Sequence, residues 1–271
     1  MDETSNSLVF LKLGGSLITE KDKPNTPRLD VIRQAVREIK SVVINSPGLQ
    51  LVIGHGSGSY GHSVAHQFGT REGVHTQEGW QGFFRVWQAA RELNLIVVEE
   101  CHKAGLPVIP FPLSSGALSS GKKVTNWETG PILDALKQSF VPLVYGDVIF
   151  DEILGGTIIS TEEIFFHLLH ILQPCKILLA GIEPGIWQDF PAQERIIHKI
   201  TPQTFPAIAK HLGAALATDV TGGMLSKVET MISVVNRFPG IEIQIFSGLV
   251  AGNISKAILG QTVGTTITEG N

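Results

Sequence analysis

Short apolar runs alternate along this chain with longer segments in which apolar residues recur every three or four positions. The runs Leu8–Leu13 and Leu51–Ile53 have the composition of buried strands. The segments Leu29–Ile44 and Glu78–Ala104 have the spacing of amphipathic helices, and Gly105 marks the predicted end of the second one. This alternation of strands and helices predicts a mostly parallel sheet covered by helices on both faces.

The same two patterns predict further elements, and the small, polar stretch Ser114–Asn126 is among those to which no element is assigned. The further predicted strands are Leu106–Phe111, Val141–Phe150 with a break at Gly146-Asp147, Lys176–Ala180, Ile241–Phe246 and a last one ending near Ile267. A hairpin is predicted over Asp151–Ser160, around Gly155-Gly156. The further predicted helices are Glu128–Lys137, one that starts with Thr161-Glu162-Glu163 and runs to Leu172, Val228–Val235 and Asn253–Leu259.

Composition and charge narrow the class of protein. With 271 residues, of which 43% are hydrophobic and 17% charged, the chain is long enough to bury a sizeable core, as one large α/β domain or as two lobes. The net charge of −4 gives no sign of the clustered basic face that binds nucleic acid, and no apolar run approaches membrane-spanning length. Two isolated cysteines, Cys101 and Cys175, and a polar, acidic N-terminus unlike a secretory signal predict a soluble, cytoplasmic protein.

The stretch Leu51–His62 (LVIGHGSGSYGH) joins a predicted strand to a glycine-rich loop. Glycines let backbone N–H groups approach an anion closely, and the helix allowed from Ser63 onward would begin beside that loop. His62 can donate a hydrogen bond to a phosphate. The simpler interpretation is a glycine-rich turn without a ligand, because glycine motifs give many false positives and this one is neither G-x-x-x-x-G-K-[ST] nor G-x-G-x-x-G.

Two further glycine-bearing turns extend the candidate site. Lys12 lies near the end of the first predicted strand, where its ammonium group is costly unless it meets an anion or water, and Gly14-Gly15-Ser16 follows it. The cluster Thr218–Lys227 (TDVTGGMLSK) precedes a predicted helix. Ligands of open α/β sheets bind at the carboxyl ends of the strands, so the three turns would line one edge. Lys12, Lys21, Lys227 and His62 would then be directed into one site, although Lys21 taken alone would be explained as a solvated loop residue.

Three cations and many backbone amides suit a chain of phosphates. Phosphoryl transfer asks for in-line positioning and for neutralisation of the charge on the moving group rather than for covalent chemistry by the protein. A carboxylate among the lysines would hold them in place or carry Mg²⁺, and the candidates are Asp147, Glu162 and Asp219. This interpretation assigns no dedicated metal ligand, and no Ser/His/Asp order, H-E-x-x-H motif or cysteine pair competes with it.

Five motifs together carry a resemblance to a known family. They are KLGGSLIT (Lys12–Thr19), GHGSGSYGH (Gly54–His62), VPLVYGDV (Val141–Val148), the run Ile158–Glu163 and DVTGGMLSK (Asp219–Lys227). In this order, over nearly the whole chain, they resemble the amino acid kinase superfamily. The G-[SA]-[FY]-G-H ending of the second motif is similar to the branch of isopentenyl phosphate and fosfomycin kinases, and the set as a whole to the isopentenyl phosphate kinase family.

The resemblance implies a fold and a reaction. The fold would be a three-layer αβα sandwich around a mainly parallel open sheet, one domain over residues 1–271 and usually a homodimer. Its acceptor-binding lobe would span residues 1–172 and its nucleotide-binding lobe residues 173–271. The reaction would be the transfer of a phosphoryl group from ATP, with Mg²⁺, to isopentenyl phosphate, which gives isopentenyl diphosphate for isoprenoid biosynthesis.

The resemblance also implies roles for individual residues. The catalytic residues would be Lys12, Lys21, His62 and Glu162, with Lys21 stabilising the transferring phosphoryl group. The nucleotide would be bound by Lys12, Gly14, Gly15, Ser16, Gly58, Gly181, Gly222, Gly223 and Lys227. The acceptor would be bound by Ser57, Gly58, His62 and Thr161. A histidine suits this role because an acceptor that already carries a phosphate needs an extra cationic donor.

Two segments depart from the family's pattern. Ser160-Thr161-Glu162 stands where the family often has Ser-Gly-Asp, so Thr161 adds bulk beside the acceptor and Glu162 is one methylene longer than aspartate. Gly181–Gly185 (GIEPG) stands where the family often has Thr-Asp-Val-Asp-Gly, which leaves the nucleotide base preference open.

Two alternative functions stay open at this point. The first is a kinase of another small phosphate or phosphonate, such as a fosfomycin-type acceptor, which would differ in the apolar pocket for the acceptor's tail. Hypothetical lining residues are Phe83, Phe84 and Trp87, although such an aromatic stripe is more often core or a dimer face. The second is a non-catalytic nucleotide sensor or oxyanion-storage protein on the same fold. The presence of Lys12, Lys21, His62 and Lys227 together disfavours it, because a binder needs no lysine poised for transfer.

Overall fold

The computed structural model describes residues 8–189, 192–209 and 223–270. The strands are β1 (Leu8–Leu13), β2 (Gln50–His55), β3 (Val108–Pro110), β4 (Ala117–Ser120), β5 (Lys123–Trp127), β6 (Val141–Tyr145), β7 (Asp147–Asp151), β8 (Gly155–Ile159), β9 (Lys176–Gly181), β10 (Ile186–Trp187), β11 (Ile196–Ile197), β12 (Lys199–Ile200), β13 (Glu242–Ser247) and β14 (Thr265–Ile267). The helices are α1 (Gly15–Ile18), α2 (Leu29–Asn45), α3 (Gly58–Phe68), α4 (Gln77–Ala104), α5 (Gly130–Lys137), α6 (Thr161–Leu172), α7 (Gly223–Arg237) and α8 (Asn253–Ile258), with a 3₁₀ turn at Leu113–Ser115.

Strand β1 lies in the middle of an eight-stranded sheet with the order β12-β14-β13-β9-β1-β2-β6-β3. The neighbours of β1, strands β2 and β9, run parallel to it. Within the described ranges the one antiparallel pair of this sheet is β13–β14. The prediction of a mainly parallel sheet is confirmed.

Alternate side chains of β1 enter two different cores, which makes the molecule three-layered. Leu11 belongs to a cluster that includes Leu93 of α4, together with buried residues of α2 and α8. Phe10 belongs to a second cluster that includes Phe165 of α6, together with residues of α5 and α7. Since each strand is covered on both faces, near-continuous apolar runs such as LVFLKL are required, and the αβα expectation is confirmed.

A second, four-stranded sheet has the order β5-β4-β7-β8. No element was predicted over Ser114–Asn126, and this was wrong, because the stretch contains β4 and most of β5. These strands are rich in Ser, Thr, Asn and Lys and several of their residues are exposed, so no apolar pattern marks them. Their turn is instead fixed by Asp151, whose carboxylate accepts hydrogen bonds from the amides of Gly121 (3.0 Å) and Lys122 (2.9 Å).

The hairpin predicted at Asp151–Ser160 exists, but it begins earlier and turns at residues 152–154. It consists of β7 and β8, which pair antiparallel from Asp147 opposite Ile159. The predicted strand Val141–Phe150 is therefore two strands, because the chain leaves the large sheet after Tyr145 and enters the small one at Asp147. The predicted break at Gly146-Asp147 is the point at which it changes sheet.

The helix ends follow local capping chemistry. Helix α4 starts after Thr76, whose hydroxyl accepts the amide of Gly79 (3.1 Å), and stops at Gly105 with φ +77°, as predicted. Helix α6 has Ser160 as its N-cap, one residue before the predicted start, with a capping box closed by Glu163. None of the helices in the described ranges combines the length and the apolar character needed to cross a membrane.

Candidate active site

Lys12 stands near the carboxyl end of β1, in register with Gly54 of β2 and Leu179 of β9. Its side chain is only 14% exposed. An ammonium group so placed, between two parallel neighbours in the centre of the sheet, requires an anionic partner.

That partner is Glu162, brought over the sheet by the close approach of α6 to Gly54. A Cβ atom at Gly54 would lie 2.5 Å from Thr161 Cγ2 and 2.7 Å from Phe165 Cζ, so only glycine admits the helix there. The Thr161 hydroxyl donates to the carbonyl oxygen of His55 (2.6 Å) and fixes the first turn of α6 on β2. Glu162, the next residue, then forms an ion pair with Lys12 on β1, the strand beside β2.

Burial and the ion pair act in opposite directions on the pKa of each side chain of this pair. Burial favours the neutral form of Glu162, but the charge and hydrogen bond of Lys12 outweigh burial and hold the pKa of Glu162 below its usual 4.5. Burial lowers the pKa of Lys12 from 10.5, Glu162 opposes this shift, and Lys227 on α7 adds to it by charge repulsion. Lys227 is therefore close enough to act on Lys12 by its charge, and the site contains two lysines and one glutamate.

The glycine turns after β1 and β2 pack backbone against backbone beside this pair. A Cβ atom at Gly15 would lie 2.3 Å from the amide nitrogen of Gly58, and one at Gly56 would lie 2.8 Å from the amide nitrogen of Gly15. Gly58 has φ +49°, and Thr19 bridges the two turns by accepting the amide of Ser59 (2.9 Å). The two turns therefore line one edge of the sheet, as predicted, with the N-termini of α1 and α3 beside Lys12.

The start of helix α3 carries three of the four residues predicted to bind the acceptor. Ser57 is its N-cap and Gly58 its first residue. His62 lies in its second turn, and its side chain is outside the part of the chain that the structure describes. Gly58 is thus brought next to Gly15, whereas the position of the His62 imidazole stays a prediction.

The remaining predicted residues are spread around this centre. Lys21 is exposed in the loop after α1, and no contact among the described residues joins its side chain to Lys12 or Glu162. Ser16 is exposed in the first turn of α1, and Gly181 ends β9, where a side chain would enter open space. Gly223 is the first residue of α7, and both Gly222 and the candidate carboxylate Asp219 lie outside the described residues.

Asp147, the other candidate carboxylate, does not join the lysines. It is fully buried at the start of β7 and accepts the amides of Ser114 (3.1 Å) and Val148 (2.9 Å). No cation among the described residues contributes to its charge balance, and burial raises the pKa of Asp147 to about 6. The hydroxyl of Ser114 in turn accepts from Trp87 Nε1 (3.2 Å), which makes Asp147 an anchor of that loop.

Sequence reasoning missed His55, which lies inside the glycine motif. Its side chain is 1% exposed, stacks on Tyr145 with ring centroids 5.4 Å apart and has Nε2 3.2 Å from Asn94 Oδ1. Burial lowers the pKa of His55, so the ring is neutral. It serves as a rigid support beneath the glycine turn, and a histidine flanked by glycines was the available signal.

Comparison with known proteins agrees with this geometry. The family model described as "Amino acid kinase family" matches residues 7–247. The chain belongs to the amino acid kinase family. The matched range contains Lys12, both described glycine turns, Glu162 and Lys227, and so includes the site just described.

Several similar proteins carry a more specific name. An isopentenyl phosphate kinase of Methanocaldococcus jannaschii is 29% identical over 269 residues, which cover 96% of this chain and 98% of that protein. One of Haloferax volcanii is 30% identical over 262 residues, with 96% and 98% covered. Among solved structures, an isopentenyl phosphate kinase matches with a TM-score of 0.79 and 26% identity over 96% of this chain and all of that one.

Proposed function

We propose that this amino acid kinase is an ATP-dependent isopentenyl phosphate kinase, which makes isopentenyl diphosphate. The observation that carries the proposal is the partly buried Lys12–Glu162 pair, flanked by Lys227 and by two interlocked glycine turns at the carboxyl edge of the sheet. The similarity to proteins named isopentenyl phosphate kinase over 96% of the chain supports this acceptor.

In the proposed reaction an oxygen of the acceptor's phosphate attacks the γ-phosphorus of ATP. The bond from γ-phosphorus to the β–γ bridging oxygen breaks, and ADP leaves with the electron pair of that bond. Lys12 and the proposed catalytic Lys21 neutralise the charge on the moving group, and Glu162 holds Lys12 in place through their ion pair. Amides of Gly14, Gly15 and Gly58 and the hydroxyl of Ser16 would bind ATP phosphates.

The acceptor's phosphate would be bound at α3 by Ser57, Gly58 and His62. Thr161 would border the same space, although its hydroxyl is already committed to His55, so it would act by bulk rather than by hydrogen bonding. The nucleotide would extend towards Gly181, Gly222, Gly223 and Lys227. Where the family often has a threonine, the open space above Gly181 supports altered contacts to the nucleotide.

Mg²⁺ belongs to the same proposal and would enter with ATP. Within the described ranges no three His, Cys, Asp or Glu side chains are grouped to hold a metal ion. Glu162 would contribute a carboxylate to an ion held mainly by the nucleotide's phosphates, since Mg²⁺ usually takes one or two carboxylates besides phosphate oxygens. When bound, the ion would add positive charge to the transferring phosphate.

A homodimer in the cytoplasm completes the proposal. Helix α4 leaves Trp80 (37%), Phe84 (57%) and Leu95 (50%) exposed, which supports a further surface packing against it. The free thiols of Cys101 and Cys175 suit a reducing compartment. Light scattering of the purified protein would measure the mass of the particle.

The first experiment measures ATP consumption with Mg²⁺ and isopentenyl phosphate for the wild type, His62→Ala and His66→Ala. His66 is exposed one turn further along α3, so its variant controls for loss of a histidine from that helix. Formation of isopentenyl diphosphate that falls about 100-fold in His62→Ala and stays unchanged in His66→Ala is expected.

Three other outcomes would change the proposal. Turnover with another small phosphate or a phosphonate, but not with isopentenyl phosphate, would keep the kinase and replace the acceptor. ATP binding without turnover on any acceptor would favour a nucleotide sensor. Equal losses in both histidine variants would remove His62 from the acceptor site.

A second test addresses Lys21, which is exposed in the described structure. Lys21→Ala should abolish turnover and leave ATP binding intact, whereas Lys23→Ala, an exposed lysine of the same loop, should affect neither. If Lys21→Ala turns over normally, the transferring phosphoryl group is stabilised by Lys12 and Lys227 without it.

A further inference from the structure

Glu163, the neighbour of Glu162, connects the ion pair with Lys12 to a part of the chain that the proposed reaction does not use. Its Oε2 accepts the amide of Ser160 (2.7 Å) and its own amide donates to the Ser160 hydroxyl (3.3 Å). These two bonds define the first turn of α6, the turn that carries Glu162. Any group that holds the Glu163 carboxylate therefore also sets the position of Glu162.

Arg71 is that group. Its Nη2 donates to Glu163 Oε1 (3.0 Å) and its Nη1 to Oε2 (3.3 Å), so the guanidinium group binds both carboxylate oxygens. Nη1 also donates to the carbonyl oxygen of Ile158 (2.8 Å), on the strand just before α6. One side chain thus binds the last strand of the hairpin and the first turn of the following helix.

The segment that carries Arg71 is itself fixed to the β7–β8 hairpin. The Thr157 hydroxyl donates to the carbonyl oxygen of Arg71 (2.8 Å), and the Val74 amide donates to the carbonyl oxygen of Leu154 (2.8 Å). This segment joins α3, whose N-terminus faces Gly15, to α4. Arg71 therefore links the helix proposed to bind the acceptor with the helix that bears Glu162.

We infer that Arg71 is a positioning residue of the phosphoryl-transfer site, which fixes the first turn of α6 and so keeps Glu162 against Lys12. The Arg71 side chain is 43% exposed and that of Glu163 32%, and ion pairs this exposed add little to the stability of the fold. Their bidentate geometry instead restricts orientation, which matters at a site where small displacements lower the rate of transfer. The activity arm of the test rests on the proposed function, and the chemical arm does not.

The chain offers a matched control in the salt bridge between Lys122 and Glu72. Lys122 Nζ lies 3.1 Å from Glu72 Oε2, one residue along from Arg71, and ties the same segment to the β4–β5 turn. Among the described residues no hydrogen bond or ion pair joins Lys122 to α6. Lys122→Ala thus removes an ion pair of the same segment and leaves the capping turn of α6 intact.

The chemical arm measures the acetylation of Lys12 by an N-hydroxysuccinimide ester, followed by mass spectrometry of its peptide in the protein without substrates. Glu162→Gln removes the partner that raises the pKa of Lys12, so acetylation at neutral pH should accelerate about tenfold. Arg71→Ala should accelerate the acetylation of Lys12 at least threefold. Arg71→Lys keeps the charge but cannot bind both carboxylate oxygens of Glu163 through two nitrogens, so its rate should lie between those of the wild type and Arg71→Ala. Lys122→Ala should match the wild type.

The direction of this effect separates positioning from simple electrostatics. Removal of a cation without movement of Glu162 would raise the pKa of Lys12 and slow its acetylation. Slower or unchanged acetylation in Arg71→Ala would therefore overturn the inference. An equal acceleration in Lys122→Ala, or a matching fall of the melting temperature, would assign the effect to general loosening of the fold and would overturn it too.

The activity arm uses isopentenyl phosphate and ATP. Arg71→Ala and Glu163→Gln should each lower kcat about tenfold with KM changed less than twofold, and the double variant should be no slower than Arg71→Ala, because both changes break one bond. Additive losses would contradict the inference. If the wild type shows no turnover with this acceptor, the proposed function fails, and the acetylation rates still decide the role of Arg71.

Discussion

Two regions of the molecule shield an acidic side chain from solvent, the first turn of α6 with the partly buried Glu162 and the start of β7 with the fully buried Asp147. Glu162 meets Lys12 and its pKa is held below the usual range. Asp147 meets two backbone amides and the hydroxyl of Ser114, and burial raises its pKa to about 6. The difference teaches that shielding from solvent does not by itself fix the pKa of a carboxylate, since what separates the two is a counter-charge supplied by a distant strand.

The largest expected effect on activity comes from removing the lysine of the Lys12–Glu162 ion pair. Lys12→Met should lower kcat/KM about 10²- to 10³-fold, because it removes a cation aimed at the transferring phosphate. The matched control is Lys176→Met, since Lys176 on β9 pairs with Glu242 at 2.7 Å on the same sheet. That variant should keep its activity within about twofold. Steady-state kinetics measures both, and similar losses would show that any Lys–Glu pair of the sheet matters through the fold.

The second prediction uses the titration of Asp147. Its folded-state pKa of about 6 lies above the ordinary 3.8, so the folded protein holds this proton more tightly than the unfolded chain. Protonated Asp147 therefore stabilises the fold, and its contribution to the free energy of unfolding should decline by about 2 kcal/mol as the pH rises from about 4 to about 7. Urea denaturation of the wild type and Asp147→Asn over this pH range measures the difference.

Glu162→Gln provides the contrast for that experiment. The pKa of Glu162 is lowered in the folded state of the wild type. The stabilisation of the fold by the ionised Glu162 is therefore present above pH 4.5 and is lost as the pH falls through the folded-state pKa. The difference in free energy of unfolding between the wild type and Asp147→Asn should fall as the pH rises, whereas the difference between the wild type and Glu162→Gln should increase with pH. Parallel slopes would contradict the distinction between the two regions.

The smallest expected effect tests how α6 reaches Lys12. Gly54→Ala places a Cβ 2.5 Å from Thr161 Cγ2 and 2.7 Å from Phe165 Cζ, and should lower the free energy of unfolding by about 1–2 kcal/mol. The control is Gly116→Ala, where a Cβ would meet nothing within 4 Å. Thermal denaturation compares the variants, and a Gly54→Ala protein as stable as the control would mean that α6 shifts freely.

The pattern of apolar residues predicted most of the fold. Runs such as Leu8–Leu13 and the 28-residue helix α4 carry strong periodicity because a strand covered on both faces and a long amphipathic helix leave few alternatives. The polar strands β4 and β5 were missed, because their pairing depends on backbone bonds and on Asp151, which no periodicity reveals. That the glycine turns after β1 and β2 share an edge with Lys12 could be predicted, since the carboxyl ends of parallel strands meet there.

The sequence by itself determined the residue types of the site: the glycines that admit close backbone contacts, Lys12 at the end of a buried strand, and three acidic candidates. Only the tertiary structure decided that Glu162 rather than Asp147 meets Lys12, because that choice depends on the space above Gly54 and on the capping turn held by Arg71. Such contacts join positions from about 90 to 150 residues apart along the chain. Local propensity carries no information about them, since an ion pair forms by distance in space and not by spacing along the chain.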